Sequence, residues 1–260
     1  MTLVGTAATV VLLRDGEEGL EVLLLERPRH TGTFAGAWVF PGGRVDPEDY
    51  DAAGIPRPDA GRPRQPGEEL PAARVAGVRE AAEETGLVLP PDSLTDLSCW
   101  VPPLQAPKRL RTWFFIARTP GSDVRLNPGE LIDYAWLTPA AALELHKQGK
   151  MLLVAPTFVT LTLLSRFRDT AAALGFASSA PVETFSSRLL NGYEPDAVIA
   201  WHGDAEYPGS EEPDAAGQAP GAAADNAAAD TAASGQAGNG GAARHRLVMR
   251  GSDWRYERTV

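Results

Sequence analysis

The order of apolar and polar positions along the chain predicts a protein that mixes helices and strands. Short apolar runs that are typical of strands occur at residues 6–14, 21–26, 97–101, 111–117 and 134–137. Longer stretches with helical spacing occur at residues 71–85, 139–148 and 157–173. Two further short strands are expected near the C-terminus, at residues 246–249 and 254–256. No repeat of fixed period interrupts this order, which favours an α+β fold.

The helix predicted at residues 71–85 carries a cluster of acids near its C-terminal end. At about 100° per residue, Glu80, Glu83 and Glu84 fall within an arc of roughly 100° on one face. The opposite face, which we expect to pack in the core, carries Val75, Val78 and Ala82. A solvated acidic surface is the alternative reading. Because close carboxylates repel one another in water, a divalent cation between them explains the cluster better, and hard oxygen donors suit Mg²⁺ or Mn²⁺.

The sequence R-E-A-A-E-E-T-G-L at residues 79–87 resembles the second half of the Nudix box, G-x5-E-x7-R-E-U-x-E-E-x-G-U with U apolar. Residues 38–43, W-V-F-P-G-G, resemble the strand and Gly-Gly turn that open the box. Asp49 stands where the pattern has Glu, and the Arg-Glu pair arrives only at Arg79, so an insertion at about residues 50–70 separates the two halves. The Pro, Gly and charged residues of this insertion predict a surface loop. Asp49, Glu68 and Glu69 stay open as the acid that takes the place of the box Glu.

The resemblance implies the Nudix fold for residues 1–150, an α/β/α sandwich built around a mixed sheet. It also implies Mg²⁺- or Mn²⁺-dependent hydrolysis of a pyrophosphate bond in a nucleoside diphosphate that is linked to another group. The family's base or metal ligand after the box arginine corresponds to Glu80, and Arg79 is expected to orient the glutamates. The remaining metal ligands correspond to Glu83, Glu84 and the backbone carbonyl of Gly42. A further acid from outside the box is expected at Glu130, with an exposed loop acid as the alternative.

Residues ahead of the box resemble the motif of Nudix enzymes that cleave coenzyme A, L-L-T-x-R-[SA]-x3-R-x3-G-x3-F-P-G-G. Arg27, Gly36 and residues 40–43 match this motif, whereas Leu25, Pro28 and Gly32 depart from it. Arg27 and Gly43 are therefore expected to contact substrate. The longer coenzyme A diphosphatases of animal peroxisomes also have an interrupted box and a C-terminal extension. By this resemblance the 3′-phosphate of coenzyme A would bind a cationic cluster, with a solvated strand edge as the alternative; the cluster comprises Lys108, Arg109 and Arg111.

Three functions follow as hypotheses. The first is hydrolysis of coenzyme A or its acyl esters to 3′,5′-ADP and 4′-phosphopantetheine derivatives. The second keeps the chemistry but takes NADH, ADP-ribose or a nucleoside triphosphate as the small-molecule nucleotide substrate. The third is a regulatory module that binds a nucleotide without cleaving it. The three intact glutamates of the box count against this third hypothesis, and the altered position at Asp49 keeps it open.

Composition favours a cytoplasmic protein. The chain has 260 residues, of which 43% are hydrophobic, which is enough for a substantial core. Its one cysteine, Cys99, permits no intrachain disulfide and suits a reducing compartment. A net charge of −10 argues against nucleic-acid binding. The first apolar run, Thr6 to Leu13, is too short for a signal peptide or a membrane span, so we expect no membrane partner; a homodimer is left open.

The C-terminal part divides into three expected regions. Residues 151–208 are expected to form a helical extension of the same domain. Residues 209–243 are rich in Ala and Gly and carry acids without any Lys or Arg, so we expect a disordered insertion. Residues 244–260 are expected to return to the fold as strands, with a dispensable tail as the alternative.

Overall fold

The computed structural model describes residues 3–30, 34–58, 67–90, 92–121, 123–127, 129–191, 196–208 and 242–259. Within these ranges the strands are β1 Gly5–Gly16, β2 Gly19–Glu26, β3 Ala37–Val39, β4 Gly42–Arg44, β5 Thr95–Val101, β6 Leu110–Arg118, β7 Asp133–Leu137, β8 Leu152–Leu153, β9 Glu183–Ser186, β10 Arg188–Asn191, β11 Asp196–Ala200, β12 His245–Arg250 and β13 Asp253–Arg258. The helices are α1 Pro47–Ala52, α2 Leu70–Thr85, α3 Pro139–Lys147, α4 Ala155–Leu164 and α5 Thr170–Ser179.

Nine of these strands form one mixed sheet. Its main path runs β8-β3-β2-β1-β6-β5-β9, with β4 paired to β1 and β7 paired to β2. The long strand β1 is parallel to β6 on one side. On its other side it is antiparallel first to β4 and then to β2, so the β3–β4 segment enters the sheet where β1 and β2 separate. This separation brings Gly42 and Gly43 into the middle of the sheet.

Helices cover both faces of the sheet, as the α/β/α sandwich requires. Alternate residues of β1 enter opposite cores: Val10 and Leu12 pack on the side of α2, and Val11 and Leu13 pack on the side of α3, α4 and α5. A strand that is buried on both faces has a nearly continuous apolar sequence, which explains the run at residues 6–13. The predicted α+β sandwich with a mixed sheet is therefore confirmed.

Helix α2 begins and ends close to the predicted positions, but its buried face differs from the prediction. Val75 and Ala82 are only partly buried. The face against the sheet is made of small residues, and at Gly77 an added Cβ would lie 3.0 Å from Cγ2 of Val10. Small side chains let the helix axis approach the sheet closely, which valines would prevent. The fully buried members of this face are Ala72, Ala73, Ala76 and Ala81.

The segment between the two halves of the box is more ordered at its start than a surface loop. Helix α1 runs from Pro47 to Ala52, so the predicted loop boundary near residue 50 falls inside a helix, and Tyr50 is buried. The Gly-Gly pair also differs from the prediction, because Gly42 and Gly43 begin strand β4 instead of forming the turn. The part of the insertion at residues 59–66 lies outside the described residues.

The C-terminal extension is not wholly helical. The single helix predicted at residues 157–173 is two helices, α4 and α5, because Asp169 caps the second one by accepting a hydrogen bond from the Ala172 amide at 2.8 Å. Strand β9 joins the main sheet beside β5. A separate antiparallel sheet has the order β10-β11-β12-β13 and contains both strands expected near the C-terminus.

The expected disordered insertion lies, at residues 209–241, outside the described residues. The chain on either side of it is held together. The Ala205 amide donates to the Ala243 carbonyl at 2.9 Å, and buried Asp204 forms an ion pair with Arg246. None of the helices in the described ranges combines the length and the hydropathy that crossing a bilayer would require.

Candidate active site

The two halves of the box meet where β4 lies beside the last turns of α2. The Gly42 amide donates a hydrogen bond to Oε2 of Glu84 at 2.8 Å. Gly42 has a φ of 159° and lies against the Ala8 carbonyl, where a Cβ would collide with the backbone of β1. The glycine thus allows the strand to approach both β1 and the helix, and it fixes the position of the Glu84 carboxylate.

Gly43 makes room for the second acid. A Cβ at this position would collide with the carboxylate of Glu80. The Glu80 side chain is mostly buried, with 15% of its surface exposed. The absence of a side chain at Gly43 therefore determines where the Glu80 carboxylate can lie, and the predicted substrate contact at Gly43 sits directly beside that acid.

Arg79 connects the acids of this region through its guanidinium group. Its Nε and Nη2 donate to the two carboxylate oxygens of Asp49 at 3.0 and 2.9 Å. Its Nη1 donates to Glu80 at 2.9 Å and to Glu83 at 3.2 Å. Nη2 also donates to the Arg44 carbonyl at 3.0 Å, which ties α2 to β4. The contacts support the expectation that Arg79 orients the glutamates.

Asp49 is the acid that contacts the box arginine. It is only 2% exposed, and its second role is to accept a hydrogen bond from the Asp46 amide at 2.8 Å, which closes the capping box of α1. Glu68 and Glu69 lie instead at the opposite end of α2, where Glu69 binds Arg111. Of the three acids that the sequence left open, Asp49 therefore occupies the place next to Arg79.

The three glutamates of the box have different environments although they share one helical arc. Burial raises the pKa of Glu84 to about 7, an effect that its hydrogen bond from Gly42 only partly offsets. Burial also raises the pKa of Glu80, and the charge of Arg79 opposes this increase. Glu83 keeps 53% of its side chain exposed. A buried carboxylate without a nearby cation is costly, and among these acids the cost is concentrated at Glu84.

Two predicted residues from outside the helix lie within electrostatic reach of Glu84. The positive charge of Arg27 lowers the pKa of Glu84, and the negative charge of Glu130 raises it. Nε of Arg27 is buried and has no hydrogen-bond partner among the described residues. Glu130 is exposed. Both residues therefore act electrostatically on Glu84, and their roles as a substrate contact and an additional acid stay predictions.

The donor set fits a hard divalent cation in its chemistry but does not form a ready cage. Among the described residues, no group of three or more His, Cys, Asp or Glu side chains converges closely enough to hold a metal ion. The reason is visible in the contacts, since Glu80 and Glu83 turn toward Arg79 while Glu84 turns toward the Gly42 amide. The Glu80 and Glu84 carboxylates repel each other, and both have the oxygen donors that Mg²⁺ and Mn²⁺ prefer. Glu80 would have to give up its hydrogen bond from Arg79 to coordinate the cation together with Glu84.

The predicted cationic cluster for a 3′-phosphate is not formed. Arg109 is buried and donates from Nε to the Pro102 carbonyl at 3.2 Å. Arg111 is engaged with the buried carboxylate of Glu69 at 2.9 Å. Lys108 alone is exposed. Burial of Glu69 requires a charged partner, which explains why Arg111 points inward and does not serve as a solvent-facing phosphate contact.

One contact of the site and one exposed side chain on a neighbouring strand were not predicted. The carbonyl of Arg44 as a partner of Arg79 carries no sequence signal, because any residue supplies a carbonyl. Tyr134, which is 38% exposed on β7, was predicted only as a strand residue. A signal for its position existed in the alternation of β7, where Tyr134 and Trp136 share one face.

Comparison with known proteins agrees with this geometry. The family model described as NUDIX domain matches residues 4–155. The crystal structure of a NUDIX hydrolase from Alicyclobacillus acidocaldarius is 26% identical, with a TM-score of 0.58, and the match covers 70% of this chain and 100% of that chain. A weaker similarity, with a TM-score of 0.39 and 23% identity, links 62% of this chain to 97% of an Ap4A hydrolase from C. elegans in a binary complex. The family match covers more than half of the chain, and the chain belongs to the NUDIX domain family, whose hydrolases act on pyrophosphate bonds.

Proposed function

We propose that this protein hydrolyses the pyrophosphate bond of a nucleoside diphosphate that is linked to a second group, in a reaction that depends on Mg²⁺ or Mn²⁺. The observation that carries the proposal is the pairing of buried Glu84 with the Gly42 amide, next to Glu80 in the space left by Gly43. This arrangement concentrates negative charge at a site that an anionic diphosphate can enter only when a cation neutralises it.

The proposed roles follow from the contacts of each acid. Glu84, Glu80 and the Gly42 carbonyl would hold the cation, and Glu83 and Glu130 would complete the acidic rim. When bound, a divalent cation would neutralise charge on the phosphate oxygens and lower the pKa of a coordinated water. Glu80 is proposed as the base or as a further metal ligand, because it matches the family's acid after the box arginine and its carboxylate lies beside Gly43. Arg79 and Asp49 are positioning residues, since their hydrogen bonds end on carboxylates.

Coenzyme A and its acyl esters are the substrates we place first, with 3′,5′-ADP and 4′-phosphopantetheine derivatives as products. The support is the resemblance of residues 23–43 to the motif of coenzyme A-cleaving enzymes, together with the charge of Arg27 beside Glu84. The engagement of Arg109 and Arg111 inside the protein removes one argument for the 3′-phosphate. NADH and ADP-ribose therefore stand as the runner-up substrates, and a nucleoside triphosphate follows.

The test is a substrate panel with the purified full chain. Coenzyme A, acetyl coenzyme A, NADH, ADP-ribose and dGTP are incubated with Mg²⁺, and the products are separated by chromatography. Release of 3′,5′-ADP from coenzyme A is expected. Cleavage of NADH or ADP-ribose without cleavage of coenzyme A would contradict the substrate but keep the chemistry.

A nucleotide-binding module without activity is the second candidate. Only the departure from the box pattern at Asp49 favours it, and the contact of Asp49 with Arg79 removes much of that reason. The Glu80→Gln variant discriminates between the two candidates. A hydrolase should lose activity by a factor of order 100 or more in this variant, whereas a protein that cleaves none of the panel substrates, but binds one of them equally well in both forms, would be a binding module.

A further inference from the structure

Tyr134 is a large aromatic side chain held partly exposed beside the candidate site. It lies in β7 directly opposite Leu25 of β2, and Leu25 belongs to the core on the side of α2. Residues that face each other across an antiparallel ladder project to the same side of the sheet, so Tyr134 lies on the face that α2 covers. Yet Tyr134 remains 38% exposed, whereas Leu25 is fully buried.

Arg27 lies two positions beyond Leu25, where the β2–β7 pairing continues with a hydrogen bond from the Ile132 amide to the Glu26 carbonyl at 3.0 Å, and its own amide donates to the Ala37 carbonyl on the β3 side. Period-two alternation puts Arg27 on the same face as Leu25 and Tyr134, which agrees with its effect on the pKa of Glu84. A diagonal neighbour across a ladder is about 7–8 Å away. Glu84 is held by the Gly42 amide, just after β3, and β3 and β7 pair with opposite edges of β2. The order across this face is therefore the box acid, then a guanidinium group, then an aromatic ring.

A substrate diphosphate placed between Glu84 and Arg27 would direct its nucleoside toward Tyr134. In a nucleotide, the ribose separates the diphosphate from the base, which is a flat aromatic group. Aromatic rings on a rigid strand are good stacking surfaces for bases, because stacking needs no match of hydrogen-bonding groups. The pairing of β7 with β2 over residues 133–137 holds the backbone of Tyr134 in place.

We propose that Tyr134 stacks on the nucleobase of the substrate and so restricts the site to diphosphates that carry an aromatic base. This inference rests on the proposed function, because it takes the diphosphate position from that site. It assigns the base to the β7 side of Arg27 and leaves the second group of the substrate on the opposite side. Since a single stacking face does not read the edge of the base, purine and pyrimidine nucleotides should both bind.

The experiment compares three substitutions at one position in the full chain: Tyr134→Phe, Tyr134→Leu and Tyr134→Ser. Equilibrium binding of ADP and of inorganic pyrophosphate is measured by calorimetry in the presence of Mg²⁺. Val182→Ser serves as the matched control, because Val182 is 40% exposed just before β9, an edge strand separated from β2 by β1, β6 and β5. Thermal unfolding of each variant checks that the fold is kept.

Tyr134→Phe should keep the Kd for ADP within about twofold, and Tyr134→Leu and Tyr134→Ser should weaken ADP about tenfold, the usual range for loss of one base stack. The Kd for pyrophosphate should stay the same in all three Tyr134 variants and in the control. Equal ADP affinity in the wild type and Tyr134→Ser, or an equal loss for ADP and pyrophosphate, would overturn the inference. So would full ADP affinity in Tyr134→Leu, or a wild type that does not bind ADP.

The same variants separate this inference from the proposed function. With a hydrolysed substrate, Tyr134→Ser should raise KM about tenfold and leave kcat within about twofold, because stacking acts equally on the ground state and the transition state. If the panel gives no hydrolysis, the proposed function fails, and the binding data still decide the role of Tyr134. Normal hydrolysis with an unchanged KM in Tyr134→Ser would reject only the stacking.

Discussion

Replacing Glu84 by Gln should make the metal-free protein more stable at alkaline pH while impairing its activity. Glu84 is 7% exposed, and its pKa rises from 4.5 to about 7 on folding because burial disfavours the charged form. Between these two values the folded state keeps a proton that the unfolded state has released. The free energy of unfolding therefore decreases as pH increases from about 4.5 to 7, and the loss is complete above the folded pKa.

The size of the effect follows from the shift. A difference of about 2.5 in pKa corresponds to roughly 3 kcal/mol at 1.36 kcal/mol for each unit. The amide oxygen of Gln can still accept the hydrogen bond from Gly42, but the new amide NH₂ needs a partner, which costs about 1 kcal/mol if none is found. We thus expect Glu84→Gln to be more stable than the wild type by about 2 kcal/mol at pH 8 and close to it or slightly less stable at pH 5.

The assay is urea unfolding of both proteins in EDTA at pH 5, 6, 7 and 8. The stability difference between variant and wild type should increase by roughly 2–3 kcal/mol across this range, and using the difference cancels the titration of groups that do not interact with Glu84. Glu83→Gln is the control, because it removes a charge from the same cluster at a side chain that is 53% exposed, and its effect on stability should stay below about 1 kcal/mol. A stability difference for Glu84→Gln that does not depend on pH would refute the reasoning.

Three further outcomes are expected. Asp49→Asn removes the charge opposite Arg79 and should lower the free energy of unfolding by about 2–3 kcal/mol and reduce turnover. Asp51→Asn is the control, because Asp51 lies in the same helix as Asp49 but forms an exposed ion pair with Arg57, and it should leave the urea stability nearly unchanged. Gly43→Ala should displace the Glu80 carboxylate and lower kcat at least tenfold, and an unchanged kcat would remove Gly43 from the site. Replacing residues 210–241 by a short Gly-Ser linker should leave the Tm the same or slightly higher. Ala205 and Ala243 are already paired by a backbone hydrogen bond, and shortening a loop fourfold raises the free energy of unfolding by about 1 kcal/mol. A large decrease in Tm would mean that the segment supports the fold.

The sequence predicted the elements whose signals are local. The first strand was visible because both of its faces are buried, which makes its apolar run continuous. The box helix was visible from Pro71 at its start and from Gly86 at its end, where Gly86 has a φ of 72°. The same local reasoning failed between α4 and α5. Residues 157–173 have the composition of a single helix, but Asp169 caps the start of a second helix within them.

Tertiary contacts explain most of what the sequence did not predict. Arg109 and Arg111 read as part of a basic surface cluster, and only the buried carboxylate of Glu69, far away along the chain, turns Arg111 inward. The core face of α2 was assigned to Val75, Val78 and Ala82 because they lie opposite the acids on the helix. Val78 does pack against the core, but the fully buried positions are small residues, since close packing on β1 favours Ala and Gly. In both cases the deciding partner lies on another element, so residue spacing within one element could not reveal it.

The distribution of positive charge explains why Glu84 is the acid most closely coupled to a cation. Arg79 reaches Asp49, Glu80 and Glu83 with direct hydrogen bonds, so these three acids are compensated in the absence of metal. Among the described residues, Glu84 accepts a hydrogen bond from the Gly42 amide and is favoured as an anion by the charge of Arg27, whereas its neighbours Glu80 and Glu130 oppose its ionisation. Mg²⁺ should therefore raise the Tm of the wild type at pH 8 and have a much smaller effect on Glu84→Gln. Equal stabilisation of both proteins by Mg²⁺ would place the cation elsewhere.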